Sequence, residues 1–237
     1  MIPFWFYAFT AASAAPPDIE GTWALRYQVV TQNQVPVVGS LQSTSETLVL
    51  ARIQSTDHGW FQSHQVCGAG VQGGLVRSRV PESYIRSVPE KRYGVTLQQT
   101  ESGPLYFADT GVFVSGYDTR CGDVVPRDAS DPCVIDWDSD GKPGATILAK
   151  APLFPWVEVY VSQRNHVTLE GQVLDGRSIR GRVRMAHMET HVIGASNRLF
   201  HKSPTATLVA EQSFFTMQRL DDSATCDQVL DASKSDS

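Results

Sequence analysis

The chain has 237 residues, 41% hydrophobic and 19% charged, a globular balance that excludes a disordered polymer. A formal net charge of -5 argues against nucleic acid or an acidic membrane surface as the main partner, although a local basic stripe is compatible with that total. The length suits one large all-β domain or two small ones.

Met1 to Ala15 carries no charged side chain, is rich in Phe, Trp and Tyr, and ends in Ala12-Ser13-Ala14-Ala15-Pro16. An apolar run followed by alternating small residues reads as a signal peptide over 1–15 with an A-x-A cleavage site. The run is too short to cross a bilayer as a helix, so no transmembrane anchor is expected. The expected location is secreted, periplasmic or otherwise extracellular. Four cysteines fit an oxidising compartment: Cys67, Cys121, Cys133 and Cys226. The favoured pairing joins Cys121 to Cys133 across a short loop and Cys67 to Cys226, tying the C-terminus to the body. No C-x-x-C occurs, which argues against a zinc knuckle or thioredoxin-type site.

From Asp18 onward, period-2 stretches dominate. Trp23, Leu25, Tyr27 and Val29 share one face of a first strand; Leu48 and Leu50 mark a second, and Trp60 to Val66 a third. Further strands are expected over 93–97, 105–114, 145–149, 157–161, 167–173, 179–191 and 205–220. Asp57-His58-Gly59, Ser102-Gly103-Pro104, Arg164-Asn165 and Asp175-Gly176 supply turns between them. Pro81 to Ser87 is the best helical segment. The expected domain spans 16–220, with an acidic loop inserted at 116–144 and a polar, poorly ordered tail at 221–237. Short strands at this spacing predict an all-β fold, an antiparallel up-and-down barrel of about eight to ten strands. A sandwich is the runner-up.

Gly21-Thr22-Trp23 opens the first strand, and Arg219 stands near the end of the last in Phe214-Phe215-Thr216-Met217-Gln218-Arg219. This pair resembles the lipocalin signature, in which a late basic residue packs across the Trp of a Gly-x-Trp. The resemblance implies a calycin-like barrel closed at one end, with Gly21, Trp23 and Arg219 in structural roles and a cavity for a small or apolar ligand. Trp23, Tyr27, Val159 and Leu169 are the expected lining.

Between Asp123 and Asp140 stand six aspartates and one cation, Arg127. Within them, Asp136-Trp137-Asp138-Ser139-Asp140-Gly141 places carboxylates at every second position before a glycine. Alternate side chains of such a loop converge on one point, as a hard cation requires. Position 12 of an EF-hand template is Ile147 rather than Glu, so this is not an EF-hand. The segment resembles the D-x-D-x-D-G calcium loops of integrin-type propellers and thrombospondin type 3 repeats. Asp136, Asp138 and Asp140 are the expected Ca²⁺ ligands, with the Lys142 carbonyl, Asp131 or water completing the shell.

His187-Met188-Glu189-Thr190-His191 forms a second constellation. On a strand, residues 187, 189 and 191 share a face. If the phase of Ile179, Val183 and Met185 persists, two imidazoles and a carboxylate point inward, a donor set for Zn²⁺ or Fe²⁺. A bulge near Ala186 would instead turn Met188 and Val192 inward and leave the histidines at the rim or surface. The first alternative describes a metal-dependent enzyme. The favoured reading is non-enzymatic: a secreted binding protein holding a small or apolar ligand, stabilised by calcium. A calcium-stabilised surface or adhesion module is a further alternative, and the oligomeric state is left open.

Overall fold

Alternation of apolar and polar side chains sets the architecture. In β9 (Ser178–Ala195), Ile179 and Val183 are buried while Arg180, Arg182 and Arg184 are exposed, so one face meets a core and the other meets water. The computed structural model describes residues 17–35, 39–73, 76–203 and 205–235; the expected signal peptide over 1–15 lies outside the described residues.

The long strands are β1 (Gly21–Val35), β2 (Gly39–Thr56), β3 (Gly59–Gln72), β5 (Lys91–Thr100), β6 (Gly103–Ser115), β8 (Val157–Asp175), β9 and β11 (Phe214–Leu220). Each pairs antiparallel with the next in that order, and β11 pairs back onto β1. The result is a closed eight-stranded ring in chain order, within a sheet of 11 strands. Closure removes the unpaired edges that an open sheet would expose. The all-β, antiparallel expectation holds.

The ring is uneven. Two short strands, β4 (Arg77–Arg79) and β7 (Ala145–Lys150), pair with each other and bridge the far ends of β3 and β8. β10 (Thr205–Leu208) extends the β1 edge beyond β11. Helix α1 (Glu82–Ser87), starting after Pro81 as its sequence suggests, buries Tyr84 in a second cluster with Ala145, Ala149, Val159 and Val161.

The ring's interior is filled by side chains. Trp23, Leu25, Tyr106, Leu169, Phe215 and Met217 are each fully buried, and each such apolar side chain contributes about 1.5–3 kcal/mol relative to exposure. Phe215 lies against the backbone of Gly181, its register partner. A Cβ on Gly181 would stand 2.6 Å from Cε1 of that ring and 2.1 Å from the Glu170 carbonyl oxygen. Only a glycine lets the aromatic ring approach the sheet this closely.

Three expectations about elements change. The stretches 157–161 and 167–173 are one 19-residue strand, β8, and Arg164-Asn165 is not a turn. Continuous pairing with β9 and β6 on either side holds those two polar residues in the sheet. The stretch 205–220 divides into β10 and β11 around a 3-10 turn at Ala210–Gln212. The described part of the tail is not irregular: Cys226–Ser235 forms helix α2, whose Val229 and Leu230 pack with Leu48, Leu50 and Ala224 on the outside of β1–β3. Leu48 and Leu50 face outward while Val49, Ala51 and Ile53 face the core, so β2 is buried on both sides.

Candidate metal centre

Residues 116–144 leave β6 and return into β7 as a loop held at several points. Gly116 departs with φ +84°, where a Cβ would lie 2.2 Å from the Val161 carbonyl oxygen. The Asp118 amide donates to the Cys133 carbonyl at 2.9 Å, beside the Cys121–Cys133 disulfide. Trp137 packs against Tyr84 at 4.8 Å with the rings tilted by 52°, and stands edge-on to Phe113 at 6.2 Å, joining the loop to the second cluster. The buried Ser162 hydroxyl donates to the Pro126 carbonyl.

These anchors bring Asp136, Asp138 and Asp140 together, one carboxylate oxygen from each lying within 4.8 Å of the others. Asp136 accepts the amides of Asp140 at 3.0 Å and Gly141 at 2.9 Å, so its side chain closes the turn. Asp140 accepts the Lys142 amide at 2.9 Å. Asp138 differs from both, being only 3% exposed. Its Oδ2 accepts the Thr146 amide at 3.3 Å, while its Oδ1 is buried without a hydrogen-bond partner. Burial first, and then the charges of Asp140 and Asp136, push its carboxyl above the usual range. A buried carboxylate oxygen lacking a donor is costly. A bound cation would satisfy it and neutralise the repulsion. Among the described residues this is the one group of three or more His, Cys, Asp or Glu whose donor atoms converge closely enough to hold a metal ion. Lys142 follows it with an exposed side chain. Asp131 stands apart, its carboxylate capping the Cys133 amide at 2.8 Å.

No protein-family model, curated protein or solved structure matches this chain. What can be said about its chemistry therefore comes from its own residues.

His187, Glu189 and His191 do not face the core. β9 pairs His187 with His166 and Met185 with Val167, leaving Ala186 unopposed. That bulge reverses the phase, and Val192 now packs against the second cluster. On the opposite face the His191 Nε2 lies 2.8 Å from the Glu189 carboxylate, His187 3.5 Å and Arg127 3.9 Å. The hydrogen bond from His191, reinforced by the neighbouring cationic groups, holds Glu189 below the usual carboxylate range. Both imidazoles address one carboxylate instead of sharing an open coordination point. Of the two arrangements the sequence leaves open, the structure has the one with a bulge at Ala186, and the three side chains form an outer cluster rather than an inward donor set.

The four expected lining residues separate. Trp23 and Leu169 lie in the main core with Tyr27 packed against it, whereas Val159 belongs to the second cluster because β8 outruns the ring. Two cavities lie outside the ring beside α2, and none of these four residues lines either. Arg219 sits 5.2 Å over the Trp23 ring and reaches back to the Glu20 carbonyl. Cys67 and Cys226 form the second disulfide.

One buried constellation escaped the sequence. The Tyr106 hydroxyl donates to the Gln62 carbonyl oxygen at 2.5 Å, the Gln62 amide meets His64 at 2.6 Å, and Tyr93 bonds the same imidazole. The available signal is parity: Gln62 and His64 alternate in phase with Trp60 and Val66 on β3.

Proposed function

We propose that this protein is an exported, non-enzymatic β-barrel module that binds Ca²⁺ in the 116–144 loop. Asp136, Asp138 and Asp140 would supply carboxylate ligands, with backbone carbonyls and water completing the six to eight oxygens Ca²⁺ takes. Carboxylates at alternate positions of a loop suit Ca²⁺, whose coordination geometry is permissive, better than Mg²⁺, which demands near-octahedral geometry and retains its waters. Two disulfides accord with export. Ion binding, and not capture of an apolar ligand, is taken as the function because the ring's interior is filled by its own side chains.

The observation carrying this reading is the buried, unpaired Oδ1 of Asp138, the middle aspartate of the triad. The ion's role is structural: it would clamp the acidic loop to Thr146, the second residue of β7. Binding to the native state alone raises stability by about 2.7 kcal/mol at a hundredfold excess over Kd. Thermal unfolding in CaCl₂ against EGTA tests it. Calcium raises Tm in the native sequence and leaves Asp138→Asn unmoved, while in EGTA the variant is at least as stable as the parent. An unshifted Tm in millimolar calcium would remove the assignment.

A further inference from the structure

The net negative charge conceals a basic, apolar-tipped knuckle at the β4–β7 end of the molecule. Three segments far apart in sequence build it: 76–80, 148–156 and 196–203. The register pairs Arg77 with Lys150 and Arg79 with Leu148, which sets Val76 beside the β7–β8 connection. Phe154 of that connection meets Phe200 edge-on at 5.8 Å, bringing in the 3-10 turn Arg198–Phe200. The amide and hydroxyl of Ser196 bond the backbone of Glu158 and lock the third segment in place.

The tips of this knuckle are apolar and exposed. Leu153 is completely exposed at 103%, Leu199 at 73%, Val76 at 43% and Trp156 at 42%. Leu153 adopts a left-handed backbone (φ +69°), an unfavourable conformation for a bulky residue. Strain spent on presenting a leucine to solvent points to a role for that leucine outside the folded chain. Around the tips the three segments carry Arg77, Arg79, Lys150, Arg198 and Lys202, and no Asp or Glu. The Arg79 guanidinium lies 4.8 Å from the Trp156 ring and the Lys150 ammonium 6.0 Å from it. Two carboxylates next to these segments hold hydroxyls: Glu158 accepts from Tyr160 at 2.9 Å and Asp128 from Ser130 at 2.7 Å.

We propose that this knuckle docks peripherally on an anionic phospholipid surface. Leucine tips and a tryptophan would enter the headgroup–acyl boundary, where an amphipathic ring is favoured. The surrounding cations would meet lipid phosphates. Charge complementarity selects the partner: five cations on segments that carry no carboxylate of their own fit a surface of repeated anions, and apolar tips would gain nothing from a soluble polyanion. No helix among the described residues is long and apolar enough to cross a membrane.

Sedimentation with phosphatidylglycerol/phosphatidylcholine vesicles tests the proposal, with pure phosphatidylcholine vesicles and soluble heparin as comparisons. The protein binds the anionic vesicles, binding weakens with salt, and Trp156 fluorescence shifts to the blue, a shift that Trp156→Phe abolishes. Leu153→Ser with Leu199→Ser lowers vesicle affinity by about tenfold or more. Arg77→Glu with Lys150→Glu lowers it comparably and removes the lipid selectivity. Every variant keeps the same N-terminus, so differences report the knuckle. These positions are exposed, and an unchanged Tm verifies that the variants fold. Equal binding to neutral vesicles, or retention of full affinity by either double variant, would overturn the proposal. So would heparin binding with no vesicle binding.

Discussion

At the scale of single residues, a side chain's role depends on what stands around it. His64 lies within the ring, hydrogen-bonded to Gln62 and Tyr93. Burial, reinforced by the charge of Lys91, pushes its imidazole down to about 3. In the unfolded chain the imidazole takes up its proton near pH 6.5. Between these values the unfolded state binds the extra proton, so stability present above pH 6.5 is lost as pH falls toward 3. Urea unfolding at pH 7 and pH 5 should differ by about 2 kcal/mol from this group alone. His64→Gln should flatten that difference, and an equal pH slope in the variant would assign the loss to other groups. Asp138 has the opposite sign. Its raised pKa makes the metal-free fold less stable as the carboxyl ionises, and calcium removes that cost. The Asp triad was legible because its spacing is local. The buried network around His64 was not, since Tyr93, which bonds the imidazole, and Tyr106, which bonds Gln62, come from β5 and β6.

Elements read well where alternation is unbroken and poorly where it slips. On β9 the arginines at 180, 182 and 184 face outward as period 2 demands. Beyond Ala186 the phase inverts: the sequence leaves both a continuous strand and a bulge there open, and pairing with β8 selects the bulge. The joint between β8, β9 and β11 depends on Gly181. Replacing it with alanine puts a methyl group against the Glu170 carbonyl and the Phe215 ring. The expected loss is about 1–3 kcal/mol, read as a lower urea midpoint with unchanged m. An unaltered midpoint would mean that the sheet separates there at no cost. Helix α2 was hidden for a related reason. Its apolar content is slight, and the surface that makes it amphipathic in practice is Leu48 and Leu50 on β2.

Across the whole molecule, closure of eight antiparallel strands is the organising event, and the Cys67–Cys226 disulfide secures it to α2 over a sequence separation of 159. A bridge closing so long a loop removes much unfolded-state entropy. Replacing both cysteines by serine should cost about 2–5 kcal/mol, seen as a lowered Tm with increased proteolysis near residue 226. An unchanged Tm would show that α2 holds through Val229 and Leu230 alone.

The sequence by itself determined the all-β class, most turns, the short-loop pairing of Cys121 with Cys133 and the clustered aspartates. Each rests on period-2 alternation, turn chemistry or close spacing, which backbone geometry imposes locally. Only the tertiary structure decided that the ring's interior is filled, that His187, Glu189 and His191 face outward, that Asp138 is buried, and that five cations gather around exposed leucines. Those outcomes depend on registers and contacts between segments tens of residues apart, which local periodicity does not encode.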